Sequence, residues 1–453
     1  MKSPRKIVPA TSRSRSLRLS PVSRSNKRSS LRSLSKELPV ADVRELTLSN
    51  GLRIVSEHIP GAASVAVGTW IGAGSRDERE SEYGLAHFIE HVTFKGTANY
   101  SMKQIMQLVE ARGGSLNAFT TKEQTCYYAW VRTAFLEDAV SMTADLALRP
   151  KIAEASVQKE KGVIIEEIHG LDDEPDELVF DLFESTILSG NGLAHPVIGT
   201  EKSVASATRK ELRTFFDRYY SPNNMALVAS GSHSHSDLFK LAKKYFEGSK
   251  TKTIEYQREP FQNEVSKGKR IRQSREGIGQ AHLIVGGLSL GMNDERLPAL
   301  GLLVTLLGVG MSSRLNLRLR EELALAYDTS AFHSPFAEIG AAGIYAAVTV
   351  ENAKKAEAEI RKVLRGLFTK PITEAELERT KEQVIGSLIL GLESTTARLM
   401  RAGQQVYYFQ QYEEVESEIR KILKVDRRAI TELAEELFGD ETLLSVVSVA
   451  SKS

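Results

Sequence analysis

The chain reads His87-Phe88-Ile89-Glu90-His91 within its first quarter. Two imidazoles four residues apart share one face of an α-helix, so both rings can reach one metal ion. The carboxylate of Glu90 stands beside the second imidazole and remains free to accept a proton. This H-x-x-E-H order is one of the zinc hydrolase signatures. The pattern predicts a helix that carries a zinc site and its own base, although an amphipathic helix that exposes two histidines and a glutamate would have the same spacing.

A third ligand is expected, because a catalytic zinc usually takes three protein ligands and leaves one position for water. The segment E-K-G-V-I-I-E-E at residues 160–167 offers carboxylates for this role. On a helix Glu160 and Glu167 lie on nearly the same side, and the apolar residues 163–165 are expected to pack the segment into a core. One carboxylate could then bind the metal while the other supports it. Spacing alone does not choose between Glu166 and Glu167.

The two segments together resemble a known family. The run G-L-A-H-F-I-E-H-V-T-F-K-G-T at residues 84–97, followed by E-K-G-V-I-I-E-E-I at residues 160–168, is similar to the pitrilysin (M16) family of zinc peptidases. The closest branch is the processing-peptidase type. The resemblance extends from about residue 43 to the C-terminus and includes the segment G-G-S-L-N-A-F-T at residues 113–120.

The resemblance implies a ligand set and a reaction. His87, His91 and Glu167 would bind one zinc ion per chain, Glu90 would be the general base, and Glu160 would be the carboxylate that assists it. Zinc lowers the pKa of a bound water, Glu90 takes its proton, and the resulting hydroxide attacks a peptide carbonyl polarised by the same ion.

The tetrahedral intermediate needs a further cationic or phenolic donor, and Arg320 and Tyr327 are candidates for that role. They lie in S-S-R-L-N-L-R-L-R-E-E-L-A-L-A-Y, residues 312–327, which resembles a family segment whose Arg and Tyr face the zinc from the opposite half of a chamber. Without the resemblance, Arg320 would be interpreted as an exposed helix arginine and Tyr327 as an aromatic at a helix end or in a strand.

A peptide substrate could be held by the run L-N-A-F-T-T, residues 116–121, which follows a Gly-Gly turn and favours β-structure. As an edge strand it would offer unpaired backbone groups to an extended peptide. An internal strand that continues into residues 126–130 is the alternative. The resemblance implies that Asn117 and Ala118 bind the substrate.

Side-chain preference is a separate expectation. Glu177 and Asp181 are four residues apart, just after Pro175, which fits the first turn of a helix. They match family positions that recognise an arginine near the cut site, and carboxylates suit a guanidinium. Acidic residues that complement a helix dipole are the alternative. Phe94 matches a position that lines the pocket just after the cut, but a core phenylalanine is the alternative.

Composition excludes some classes of protein. The 453 residues, 41% of them hydrophobic, suffice for about two to four domains, and the apolar runs are too short to span a membrane. The single cysteine, Cys126, excludes an intrachain disulfide framework and suits a reducing compartment. Its apolar, aromatic neighbours predict a small core residue and not a nucleophile.

Charge is concentrated at the N-terminus. Residues 1–36 hold about eleven Lys and Arg, about eleven Ser and no Asp or Glu, whereas the rest of the chain is net acidic. This composition predicts a disordered tail over residues 1–40 and is shared by mitochondrial transit peptides, so a mitochondrial matrix protein is one interpretation. The sequence around the motifs is closer to bacterial relatives, which favours a bacterial cytoplasmic protein. Nucleic acid is not expected as a partner, because no aromatic interleaving or fold motif accompanies the basic residues.

The remaining chain repeats itself weakly. S-V-A-V-G-T-W-I from residue 64 has a counterpart in A-H-L-I-V-G-G-L from residue 281, and the second copy lacks the metal ligands. The sequence therefore predicts an α+β fold of two similar domains, each a mostly antiparallel sheet packed with helices, which together form half of a clamshell chamber. The expected boundaries are a catalytic zinc-binding domain at 41–248, a linker at 249–276 and a second domain at 277–453.

These features predict a zinc endopeptidase that cuts extended peptides or unfolded segments, with a preference for arginine near the cut. A homodimer, or a heterodimer with a homologous subunit, is expected to complete the chamber. A general oligopeptide-degrading peptidase is one alternative. A non-catalytic scaffold subunit of the same fold is another, but it predicts eroded ligands.

Overall fold

The computed structural model of the chain describes residues 38, 40–252, 258, 260–261, 267–370 and 372–451. The predicted tail at 1–40 lies outside the described residues except for positions 38 and 40. Among the described helices, none is long and apolar enough to cross a lipid bilayer.

The first sheet has six strands in the order β1-β2-β6-β3-β5-β4. Neighbouring strands are antiparallel except β2 and β6. Strand β3 is buried over almost its whole length, as expected of a strand that is covered on both faces. The strands are β1 Asp42–Thr47, β2 Arg53–His58, β3 Ser64–Ile71, β4 Ser115–Thr120, β5 Thr125–Arg132 and β6 Met225–Gly231.

The second sheet has five strands in the order β7-β11-β8-β10-β9, antiparallel except for β7 and β11. Its sequence of parallel and antiparallel pairs repeats that of β2-β6-β3-β5-β4, so the predicted α+β fold of two similar domains is confirmed. The strands are β7 Arg270–Ser274, β8 Ala281–Leu290, β9 Ala326–Pro335, β10 Ile339–Val348 and β11 Ser445–Ala450.

Strand β7 lies inside the segment that the sequence assigns to the linker, 249–276. Its residues, R-I-R-Q-S, alternate between exposed and half-buried positions at the edge of the sheet. A short edge strand with a single apolar residue lacks the hydrophobic pattern that marks a strand, which is why it resembles a polar linker.

Helices cover both sheets. The first half contains α1 Leu85–Thr93, α2 Met102–Glu110, α3 Leu136–Leu148, α4 Glu154–Asp172, α5 Pro175–Ile187, α6 Glu201–Ser206, α7 Arg209–Tyr219 and α8 His235–Phe246. The second half contains α9 Leu297–Gly308, α10 Ala353–Thr369, α11 Glu374–Gly391, α12 Thr395–Phe409, α13 Val415–Lys424 and α14 Arg427–Phe438. Helix α3 lies across β3 and β5, and α9 lies across β9.

The free face of each sheet is covered by a helix from the other half. Helix α5 of the first half packs on β8 and β11 of the second sheet, where Val179 and Phe183 are fully buried against Ile284 and Val447. The apolar face of α5 that carries Val179 and Phe183 is therefore covered by the second sheet.

The exchange is reciprocal. Helix α12 of the second half packs on β3 and β6 of the first sheet, where Leu399 and Ala402 contact the cluster around Trp70. Gly403 lets the two elements approach, because a Cβ at this position would come within 2.1 Å of the Trp70 indole. The two halves are therefore interlocked.

A buried ion-pair network also joins the halves. Arg76, which is 3% exposed, pairs with Glu123 at 2.6 Å and with Glu338 on the turn between β9 and β10. Arg258 donates to both carboxylate oxygens of Asp77, at 2.8 and 2.7 Å. These pairs fix the segment that leads into helix α1.

Candidate metal centre

Helix α1 begins at a fixed point in the fold. The buried carboxylate of Glu78 accepts hydrogen bonds from the backbone N–H groups of Gly84, at 2.8 Å, and Ala86, at 2.7 Å. These bonds satisfy donors at the start of the helix, where a negative charge is also favoured. Gly84 has φ 91°, and a Cβ there would lie 2.6 Å from the carbonyl oxygen of Ile198. Only glycine fits this close approach.

The apolar face of α1 holds the helix against the first core. Leu85, Phe88, Ile89 and Val92 are at most 3% exposed. The opposite, partly exposed face carries His87, Glu90 and His91. Spacing along the helix thus determines that the three polar side chains project together.

Helix α4 supplies the carboxylates that face α1. Nε2 of His87 lies 3.9 Å from Oε1 of Glu167, and Nε2 of His91 lies 3.5 Å from Oε2 of the same carboxylate. One donor atom of each of the three residues lies within 4.8 Å of the others. Glu166 is exposed and does not belong to this cluster. The expected apolar stripe at 163–165 is only partly buried, because Val163 is 46% exposed.

Glu160 lies behind the cluster. Its side chain is 1% exposed, and Oε2 lies 3.4 Å from Nδ1 of His91 and 3.0 Å from Nζ of Lys95. Glu160 is therefore placed to orient the His91 ring, and it is not one of the three residues that could bind the metal directly.

Burial changes the pKa of two groups on α1. It lowers the pKa of His87 to about 3, and the nearby His91 acts in the same direction. Burial raises the pKa of Glu90 to about 7, against a hydrogen bond from Thr120 that lowers it, while the charge of Glu167 raises it further. Oγ1 of Thr120 donates to Oε2 of Glu90 at 2.6 Å.

This donor set fits a zinc ion. Two imidazoles and one carboxylate are the ligands of many catalytic zinc sites, which leave a further position open. Burial keeps His87 neutral at neutral pH, so its nitrogen lone pair is available, and the ring centroids of His87 and His91 lie 4.6 Å apart. In the described part of the chain, no second group of His, Cys, Asp and Glu side chains converges in this way.

Strand β4 is an edge strand, which is one of the two alternatives that the sequence leaves open, because among the described strands it pairs only with β5. Asn117 is exposed, and its Oδ1 accepts a hydrogen bond from the N–H of Ala118 at 2.9 Å. The strand ends at Thr120, which contacts Glu90. The free edge of β4 therefore leads to the metal cluster.

The predicted specificity residues lie in different environments. Glu177 and Asp181 are exposed on α5, which begins at Pro175 as expected. Phe94 is half-buried against the first core, with its ring 6.3 Å from that of Tyr127. Among the described residues, no hydrogen bond or ion pair joins Glu177 or Asp181 to the three donors.

Arg320 and Tyr327 lie in the second half of the chain. Arg320 belongs to a π-helical turn, Asn316–Glu322, and is half-exposed, 3.9 Å from Glu321. Tyr327 lies on the edge strand β9 and is 61% exposed. Within the described chain neither side chain has a hydrogen bond or ion pair to the histidine cluster.

Sequence reasoning missed three residues that support the site. They are Glu78, which holds the start of α1, Thr120, which contacts the base, and Lys95, which pairs with Glu160. An acidic residue a few positions before a glycine-led helix is a usable signal for the first. Thr120 and Lys95 offer no such signal, because their partners lie on other elements.

Comparisons with known proteins find similar family models and similar proteins. Residues 53–201 match the family model described as insulinase, peptidase family M16, and residues 206–384 match the model of the M16 inactive domain. An uncharacterized zinc protease of Mycobacterium leprae is 35% identical, covering 88% of this chain and 90% of its own. One of Bacillus subtilis is 34% identical, covering 90% of this chain and 98% of its own.

Two solved structures share the fold. A protease from Helicobacter pylori has a TM-score of 0.85 at 24% identity, covering 91% of this chain and all of the other. A peptidase M16 inactive domain from Pseudomonas fluorescens has a TM-score of 0.82 at 18% identity, covering 91% and 98%.

Proposed function

Because the chain belongs to the M16 peptidase family, we propose that it is a zinc protease, and specifically an endopeptidase that hydrolyses extended peptides or unfolded segments. The observation that carries the proposal is the convergence of His87, His91 and Glu167, with Glu90 beside them on the same helix face. The complete ligand set argues against a scaffold role, which would not need it.

Each residue of the site has a task in peptide hydrolysis. His87, His91 and Glu167 would hold one zinc ion, which supplies Lewis acidity towards water and the peptide carbonyl. Glu90 accepts the proton of the attacking water and passes it to the leaving amine. The hydrogen bond from Thr120 fixes the rotamer of Glu90, so that the acceptor oxygen keeps its place.

The free edge of β4 suits an extended substrate. A peptide that adds to this edge would be held by backbone hydrogen bonds, including those beside Asn117 and Ala118, and would reach Glu90 where the strand ends at Thr120. Phe94 would line the pocket just after the cut. Glu177 and Asp181, both exposed carboxylates, would attract an arginine side chain of the substrate.

Our proposal also assigns the groups that stabilise the oxyanion of the tetrahedral intermediate, and the cellular compartment. Arg320 and Tyr327 are exposed, and among the described residues neither side chain has a hydrogen bond or ion pair to His87, His91 or Glu167. In our proposal they face the zinc of a partner subunit in a dimer. The similar zinc proteases of Mycobacterium leprae and Bacillus subtilis are bacterial, and we place the chain in the bacterial cytoplasm.

The test measures zinc by atomic spectroscopy and cleavage of an extended, arginine-containing peptide. We expect about one zinc per wild-type chain, unchanged in Glu90→Gln, with cleavage about 10²- to 10⁴-fold slower in that variant because the base is gone. Glu167→Gln should lose zinc. Glu166→Gln is the matched control, since it changes the exposed neighbour, and should keep both zinc and activity. Zinc-free wild-type protein, or cleavage that survives Glu90→Gln, would overturn the proposal.

A further inference from the structure

Lys95 contacts the proposed metal site through one intermediate side chain. Its Nζ lies 3.0 Å from Oε2 of Glu160, and the same oxygen lies 3.4 Å from Nδ1 of His91. Lys95, Glu160 and His91 therefore form a row of contacting side chains, and the last of them, His91, is a proposed zinc ligand. The inference drawn from this row rests on the proposed zinc site.

The Glu160 carboxylate is buried, so its negative charge needs a compensating cation, and Lys95 supplies one. The Glu160 side chain is 1% exposed, whereas that of Lys95 is 26% exposed and still reaches solvent. A carboxylate taken out of water is costly unless a cation compensates its charge. In the described part of the chain, Lys95 is the lysine or arginine within ion-pair distance of Glu160.

The contact between Glu160 and His91 sets the orientation of the imidazole. When Nδ1–H of His91 donates to Glu160, the lone pair of the ring lies on Nε2, the atom that faces Glu167 at 3.5 Å. Carboxylates that accept from the second ring nitrogen of a metal-binding histidine fix its tautomer and orientation. A side chain that holds Oε2 of Glu160 in place therefore also holds the His91 ring in the orientation that binds the metal.

Lys95 is the second residue after α1, since the helix ends at Thr93 and Phe94 caps it. The backbone beyond it is also held, because Gly96 and Thr97 form β-bridges with Ser101 and Pro150. The Lys95 side chain therefore starts from a fixed point and reaches α4, which carries Glu160.

We propose that Lys95 is a positioning residue of the zinc site. It holds Glu160 by charge compensation, and Glu160 in turn presents His91 to the metal. A lysine after a helix could instead only complement the helix dipole. In that case its removal would change stability but would not act on zinc binding through Glu160.

The experiment compares zinc dissociation constants, measured by competition with a fluorescent zinc chelator. The variants are Lys95→Met, Lys95→Arg, Glu160→Gln and the double variant Lys95→Met/Glu160→Gln. We expect Lys95→Met to bind zinc about 10- to 100-fold more weakly, and Lys95→Arg to recover most of the affinity. The double variant should bind no more weakly than Glu160→Gln alone, because both changes break one row of contacts.

Lys159→Met is the matched control. Lys159 is exposed next to Glu160 in sequence and forms no ion pair among the described residues, so its loss removes the same charge near the site without breaking the row. Its zinc affinity should equal that of wild type.

Several results would overturn the inference. They are zinc affinity of Lys95→Met within about twofold of wild type, no recovery with arginine, or additive losses in the double variant. If Lys95→Met does not fold, Lys95→Gln takes its place, because the amide can still donate to Glu160 but removes the positive charge, and zinc affinity within about twofold of wild type would again overturn the inference. Wild-type protein that binds no zinc would refute the proposed function itself, whereas normal binding by wild type and Lys95→Met would refute only the role of Lys95.

Discussion

The exchange of helices between the halves predicts that Phe183→Ala destabilises the second sheet, although Phe183 precedes that domain by about a hundred residues of chain. The Phe183 ring is fully buried among residues of β8, β10 and β11. Truncation of a buried phenylalanine to alanine costs about 3 to 5 kcal/mol, from lost burial and from the cavity left behind.

The assay is native-state hydrogen exchange at the backbone amides of β8, β10 and β11. Since each 1.4 kcal/mol corresponds to about a factor of ten, protection of these amides should fall by about two to nearly four orders of magnitude. Urea unfolding should remain a single transition, because detachment of α5 uncovers the second sheet and detachment of α12 uncovers the first.

Phe246→Ala is the matched control. Phe246 is also fully buried, but it lies on α8 in the core of the first half alone. The loss of protection that Phe246→Ala causes at the second-sheet amides measures how much exchange there occurs by unfolding of the whole chain. The reasoning is refuted if Phe183→Ala lowers protection in the first half only, or if the halves unfold in two separate transitions.

Two further predictions concern the base and the pH dependence of stability. Thr120→Val removes the 2.6 Å hydrogen bond to Glu90 and should lower kcat about 10- to 100-fold at constant KM, as expected for a hydrogen bond to a charged group. Thr120→Ser keeps the hydroxyl and should retain activity. An unchanged kcat in Thr120→Val would contradict this prediction. His233 is 4% exposed, and burial, with smaller effects of His235 and His58, lowers its pKa to about 4. Its unfolded-state value is about 6.5, so the unfolded chain binds the extra proton between pH 6.5 and 4, and stability falls by about 2 kcal/mol as the pH drops to 5. Thermal unfolding at pH 7.5 and 5 should show a smaller decrease in His233→Asn, and an equal decrease in both proteins would exclude this group as a cause.

Much of the fold was predictable because it depends on local patterns. The apolar run of β3 and its counterpart β8 identify two similar domains, and Pro175 marks the start of α5. The sequence places strand β7 in the linker, because its single apolar residue gives no strand pattern. The exchange of α5 and α12 was also not predicted, because an apolar helix face does not reveal which sheet will cover it.

The order of residues is enough to place His87, Glu90 and His91 on one helix face, since 3.6 residues per turn fix that relation wherever the helix lies. Spacing leaves Glu166 and Glu167 open and the family resemblance points to Glu167, but the choice itself depends on how α4 packs against α1, which brings Glu167 to the two histidines. The same is true of Glu78 at the start of α1 and of Thr120 beside Glu90. Backbone geometry sets which side chains of one element lie together, whereas contacts between distant elements are decided by the packing of the whole core.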